Sequence, residues 1–292
     1  MTDFAHDRQA QYRLWDVSRP GLEDNHTDSN FLRDLVINAN VTRRQYWEVV
    51  WDSQHIAQQM CIAFFVPATF LHLKSGRLGV ADLLCLNFGM LAAAGFLLFA
   101  ASIPRRKETL PPLWRSVRQC FLLLTGIYNM SPLYQKLTLS ISSDTIGAST
   151  VLLLALHLFL HSYGFKKSTT ENFSGALSLG SAIATSVLLS SRLSTAYEVF
   201  SYLSFALSLF VLSPFFRKHI NSVSPKAHLA TTIAILATTM RVVDQHSRAT
   251  AAALGALVSF TTFACPWLLI SVEKRKVQIS GPWDEAEVDV AS

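Results

Sequence analysis

Charged side chains are scarce in this chain: Asp, Glu, Lys and Arg make up 15% of its 292 residues, while 50% are hydrophobic. A typical soluble domain is about a quarter charged, so the deficit argues against one large soluble domain. A long basic stripe is also missing. The formal charge of +5 is spread over short stretches, which excludes the footprint of a nucleic-acid-binding protein. Cys61, Cys85, Cys120 and Cys265 have no CxxC spacing and fall inside apolar runs, where a thiol acts as a small hydrophobe. There is neither a glycine-rich phosphate loop nor an Asp-x-Asp pair, one of which a nucleotide-sugar transferase uses to hold a diphosphate. No basic segment followed by an apolar stretch opens the chain, so no cleaved signal peptide is expected.

What the chain does have is a series of long apolar runs with short polar breaks. A bilayer crossing needs about 17 to 25 apolar residues, which places spans near residues 55–73, 78–102, 118–135, 144–162, 173–191, 196–215, 227–243 and 249–271. The expected fold is all-α, a polytopic membrane helix bundle with about eight transmembrane helices. It comprises a cytosolic N-terminal segment (1–54), the bundle (55–271) and a cytosolic tail (272–292). The run at 118–135, edged by Arg118, Gln119 and Lys136, reads either as a span or as a re-entrant or interfacial helix. Lys and Arg gather in alternate loops, among them Arg105, Arg106, Lys107, Lys166, Lys167, Arg217 and Lys218. The positive-inside rule then puts both termini in the cytosol, where the sequons at Asn25, Asn40 and Asn172 should carry no glycan.

Ahead of the first span, Phe31, Leu32, Leu35, Val36 and Ala39 recur at helical spacing, so a short amphipathic helix is expected there. It leads into Tyr46, Trp47 and Trp51, aromatics suited to the bilayer interface. Small residues four apart mark faces for close helix approach: Ala176, Gly180 and Ala184; Ala230, Ala234 and Thr238; Ala251, Gly255 and Ser259. They suggest that the fifth, seventh and eighth spans form the tight part of the bundle or its contact with partner subunits.

Few residues point to chemistry. His157 and His161 share a helical face and could present two imidazoles to a metal, but a third ligand is missing and the other histidines are scattered. Ser142, Ser143, Asp144 and Thr145 stand where a helix N-cap belongs; capping explains the residue types, and contact with a lipid head group is the other reading. In the tail, Gly281 and Pro282 break the preceding helix and can start a new turn. Trp283, Asp284, Glu285 and Glu287 then read as a docking element beyond the basic exit at Lys274, Arg275 and Lys276.

Several stretches together resemble one family. They are "FLRDLVINAN" with Gln45-Tyr46-Trp47-Glu48-Val49-Val50, Ser131-Pro132 followed by Leu137-Thr138 and "SSDTI", Ser191-Arg192-Leu193, and "GPWDEAE" from Gly281 to Glu287. Over Phe31 to Val288 the chain resembles the PIG-C family, one of the subunit families of phosphatidylinositol N-acetylglucosaminyltransferase. It departs mildly at Ser143, where the family commonly has Thr, and at Ser194, where it has Pro. The resemblance implies an endoplasmic-reticulum complex that moves N-acetylglucosamine from UDP-N-acetylglucosamine (UDP-GlcNAc) to phosphatidylinositol on the cytosolic face, the first step of glycosylphosphatidylinositol (GPI) anchor synthesis. It also implies that the glycosyltransferase fold lies in another subunit, that this chain needs no cofactor, and that its partners are the other subunits and membrane lipid, phosphatidylinositol among them. Tyr46, Trp47, Ser142, Ser143, Asp144, Thr145, Arg192, Gly281, Pro282, Trp283, Asp284 and Glu285 are then the candidate partner or lipid contacts. The alternative is a membrane enzyme or lipid transporter acting on its own.

Overall fold

The computed structural model describes residues 36–37, 44–102, 113–163, 171–277 and 279–280. Among them the order is β1 (Val36–Ile37), α1 (Tyr46–Lys74), α2 (Val80–Ser102), α3 (Leu113–Lys136), α4 (Ser143–Leu160), α5 (Glu171–Ser190), α6 (Ala196–Val223), α7 (Pro225–Asp244), α8 (Arg248–Glu273) and β2 (Ile279–Ser280). The helices pack as one compact unit over Arg44–Ser271, and the strand pair belongs to a second. Each expected span lies within or close to a helix, so the fold is helical as anticipated, although α1 starts nine residues before its expected span and α6 ends eight residues after its own. Among the described residues α1, α4, α6 and α8 are long and apolar enough to cross a bilayer by length and composition, and Val80–Ala93 and Ser174–Ser190 are shorter apolar stretches. In α3 the apolar side chains gather on one face of a helix that is less apolar on average than its neighbours.

Helix starts are written locally. Ser142 Oγ accepts from the Thr145 N–H at 3.2 Å and caps α4. On α6, Thr195 Oγ1 accepts from the Glu198 N–H at 3.2 Å while the Glu198 carboxylate accepts from the Thr195 N–H at 3.1 Å, a reciprocal capping box. Ser224 and Ser247 cap α7 and α8 in the same manner as Ser142 caps α4. Pro67, Pro132 and Pro214 lie inside α1, α3 and α6, as membrane helices tolerate when neighbours satisfy the freed backbone.

Within α8 the turn Phe260–Ala264 widens to a π-helix just ahead of Pro266. Proline has no N–H, so the Thr262 carbonyl lacks a donor four residues on. The chain's own α1 compensates: Ser53 Oγ lies 3.4 Å from the Thr262 carbonyl and Tyr46 Oη donates to the Phe263 carbonyl at 3.2 Å.

The core centres on α1 and α6. Val66 and Phe70 of α1 pack with Tyr202, Phe205 and Phe210 of α6, joined by Leu83 of α2, Ile127 of α3 and Ala182 of α5. A second cluster joins Ala57 and Cys61 of α1 to Val243 of α7 and Ala251, Leu254 and Val258 of α8.

This arrangement corrects the expectation that the fifth, seventh and eighth spans make the tight part. α5 packs mainly on α4 and α6, and α7 on α1 and α8. Ala176 and Gly180 of α5 and Ala234 and Thr238 of α7 are exposed, as is Ala230. In α5 the buried face is instead the hydroxyl flank Ser178, Ser181, Thr185 and Ser186, whose hydroxyls return to the helix's own carbonyls or to α4 and so bury without loss. Gly255 of α8 does pack: a Cβ added there would meet Met240 Cε at 3.3 Å.

The amphipathic helix expected over residues 31–39 is not what Val36 and Ile37 form. They pair antiparallel with Ser280 and Ile279, and residues 31–35 and 38–39 lie outside the described residues. An isolated helix that short is marginal in water, whereas β-branched residues suit a ladder.

Candidate functional site

Two groups of polar side chains that link different helices stand toward opposite ends of the bundle, and they differ in how they are satisfied. One end holds the α1–α2, α3–α4, α5–α6 and α7–α8 turns. There Arg192 donates through Nη2 to the carbonyls of Thr138, at 3.1 Å, and Ile141. Thr138 and Ser191 share a short hydroxyl–hydroxyl bond. Gln135 Nε2 donates to the Ser194 carbonyl at 2.6 Å. Arg77 Nη1 donates to the Gln245 carbonyl at 2.7 Å, and His72 Nε2 lies 2.8 Å from the Val242 carbonyl. Cations and amides here tie turn to turn through backbone oxygens, which have no other use at a helix end.

At the other end lie the first turns of α1, α5 and α7 and the last turns of α4 and α6. A directional chain of hydrogen bonds crosses the bundle there. Arg217 of α6, 5% exposed, donates through Nε to the Ser213 carbonyl at 3.3 Å and through Nη2 to Gln59 Oε1 of α1. A guanidinium only donates, which fixes the Gln59 amide with its nitrogen outward. That nitrogen lies 2.6 Å from His157 Nε2 of α4 and donates to it. His157 therefore carries its proton on Nδ1, which donates to the Ser178 carbonyl of α5 at 2.8 Å. Ser178 Oγ closes the link by donating to the His157 carbonyl at 3.0 Å.

Beside this chain, Gln58 Nε2 donates to Thr232 Oγ1 of α7 at 2.6 Å. The rings of His55 and His228 stand 4.6 Å apart. His228 is 2% exposed, yet neither ring nitrogen has a partner, and Gln58 Oε1 has none either.

The structure separates the sequence candidates. Ser142 and Thr145 form the α4 cap, with their oxygens 2.8 Å apart, and Asp144 and Ser143 are exposed in its first turn. Arg192 reaches the same turn by its bond to Ile141, so these candidates meet at one end. Tyr46 and Trp47 sit on the first turn of α1 at the opposite end, where Tyr46 is tied to α8 and Trp47 is 66% exposed. Gly281, Pro282, Trp283, Asp284 and Glu285 lie outside the described residues. His157 and His161 face each other with ring centroids 5.4 Å apart, but His157 is fully engaged by Gln59 and Ser178. Among the described residues no three His, Cys, Asp or Glu side chains stand close enough to hold a metal ion.

Sequence reasoning places Arg217 in a loop; it lies inside α6, which continues past Pro214 to Val223. Gln58, Gln59 and His228 escape the same reasoning. The available signal is a pair of adjacent glutamines in the middle of an apolar run, costly inside a membrane unless they meet partners.

The family model for phosphatidylinositol N-acetylglucosaminyltransferase matches residues 12–284. A Dictyostelium discoideum protein with a provisional name as the C subunit of that enzyme is 36% identical over 268 residues, 91% of this chain and 76% of the relative. The Homo sapiens protein named as the C subunit of phosphatidylinositol N-acetylglucosaminyltransferase is 30% identical over 272 residues, 92% of this chain and 90% of the relative. No solved structure matches the chain. With a family match from residue 12 to residue 284 and relatives aligned along most of their length, the chain belongs to the PIG-C family of phosphatidylinositol N-acetylglucosaminyltransferase subunits.

Proposed function

We propose that this chain is a non-catalytic, multi-pass subunit of the complex that transfers N-acetylglucosamine from UDP-N-acetylglucosamine to phosphatidylinositol, the first step of GPI-anchor synthesis. It resides in the endoplasmic-reticulum membrane with both termini cytosolic and holds the other subunits, the catalytic glycosyltransferase among them, on one scaffold. The observation that carries the reading is the family match over residues 12–284 of a chain built from packed apolar helices. Such a bundle offers lipid- and partner-facing surface, and the described residues include no α/β sheet of the kind that binds a nucleotide across its strand ends.

The membrane orientation draws support from the strand pair. β1 precedes the first helix and β2 follows the last, and their pairing requires the two segments to share a side. Eight crossings would satisfy that, and the Lys and Arg bias makes the shared side the cytosol. The Arg217 end of the bundle then faces the cytosol, since α1 begins there and α6 ends there. Trp47 at this end, and the tail from Gly281 to Glu285, are the proposed partner contacts on that face.

The direct test is to tag the chain, isolate it in mild detergent and identify the proteins that accompany it. A glycosyltransferase subunit is expected in the eluate, and Trp283→Ala should lower its recovery; an eluate lacking any glycosyltransferase would refute the subunit role.

A further inference from the structure

We propose that the Arg217 end of the bundle is a binding site for a phosphate group, the chemistry that a phospholipid headgroup and a soluble inositol phosphate share. The first observation is a buried cation with neutral partners. The Arg217 guanidinium meets the Gln59 amide oxygen and the Ser213 carbonyl, and among the described residues no carboxylate pairs with it. Those bonds use two of the five N–H donors that a guanidinium carries. A buried charge is normally matched by an opposite one, because leaving it uncompensated in a low-dielectric interior is strongly destabilising.

The second observation is independent of the first. His228, on a different helix, is buried with both ring nitrogens unpartnered, although buried polar atoms almost always find a partner. Asn221, one turn beyond Arg217 on α6, stands 3.5 Å from His55 Nε2, and the His55 ring lies 4.6 Å from that of His228, so the cation and the unpartnered imidazole belong to one end of the same helix cluster. A phosphate oxygen, an acceptor only, would satisfy donors from both.

Arg217 lies six residues before the end of α6 at Val223, ~9 Å along a helix, so it stands nearer that end of α6 than its middle. The Gln59–His157–Ser178 relay holds the guanidinium in place from three helices, and such preorganisation is what a binding site needs.

The contrast with Arg192 strengthens the assignment. Arg192 closes a turn by donating to two carbonyls of the α3–α4 connection. Arg217 closes no turn.

The inference rests on the subunit reading only for which face is cytosolic, and the experiment separates the two. The complete tagged complex is purified and titrated with dibutanoyl phosphatidylinositol or with inositol 1-phosphate, each followed by native mass spectrometry. Binding of at least one probe is expected, weakened tenfold or more by Arg217→Gln and less by Arg217→Lys, with the same subunits retained. Binding of the short-chain lipid alone assigns a lipid headgroup; equal binding of both assigns a soluble phosphate ester. If Arg217→Gln prevents assembly, His228→Gln in the assembled complex carries the test, with a several-fold loss expected. Failure of the wild-type complex to bind either probe, or binding unaltered by these substitutions, overturns the phosphate site. Absence of partner subunits from the wild-type preparation would instead refute the subunit reading and leave the phosphate measurement standing.

Discussion

Arg192 shows how one side chain can hold a membrane bundle together without a counter-charge. Its guanidinium bridges Thr138 and Ile141 in the connection that leads into α4, so the α5–α6 turn and the α3–α4 turn move as one. Charge-assisted hydrogen bonds are each worth about 1.5–3 kcal/mol. Arg192→Ala should therefore lower the thermal unfolding midpoint of the detergent-purified protein by several degrees, and Arg192→Lys, a single point donor, should recover only part of it; an unchanged midpoint for Arg192→Ala would mean that the two turns are held by other contacts. Gln59 makes a complementary case. Its amide is oriented by Arg217 on one side and His157 on the other, so Gln59→Leu leaves two buried polar groups unmatched at once. A loss of about 1–3 kcal/mol per orphaned group is expected, read as a fall in the same midpoint larger than that of Gln59→Glu, whose carboxylate still accepts from Arg217.

The helices follow from their sequences to different degrees. Apolar run length suffices for α2, α4, α5 and α7, and the starts of α4, α7 and α8 fall close to the expected limits because Ser142, Ser224 and Ser247 cap them. α6 is less legible. Arg217 and Lys218 read as the charged exit of a span, whereas the helix continues to Val223 and Arg217 is buried through its bond to Gln59 of α1. The site at that end is illegible for the same reason: it joins side chains from five helices whose spacing along the chain carries no signal. The β1–β2 pair is hidden because Val36 fits a helical stripe as well as a ladder, and the partner that decides between them, Ser280, is remote in sequence. Two substitutions test the packing itself. Tyr202→Ala opens a cavity between α6 and α1, where Tyr202 is fully buried 3.4 Å from the Val66 carbonyl, and should cost about 3–5 kcal/mol. At Gly255, Ala should be tolerated because Met240 Cε is the flexible end of its side chain, while Leu should part α7 from α8. Greater protease sensitivity of the α7–α8 turn in Gly255→Leu, but not in Gly255→Ala, would bear this out.

Among the described residues, polar side chains make turn-to-turn ties toward one end of the bundle, while toward the other Arg217 is buried without a carboxylate partner. If both terminal segments share the cytosolic side, tags at the N-terminus and at the C-terminus should both be digested by protease added to intact microsomes, and engineered sequons near either tag should stay unglycosylated; protection of one tag would require an odd number of crossings. The central claim is that the chain is required for N-acetylglucosamine transfer without performing it. The most direct measurement is transfer of labelled N-acetylglucosamine from UDP-N-acetylglucosamine to phosphatidylinositol in nanodiscs, using the chain alone, the complete complex, and the complex assembled without the chain. Transfer by the complete complex only is the predicted result; transfer by the chain alone, or undiminished transfer without it, would contradict a required but non-catalytic role.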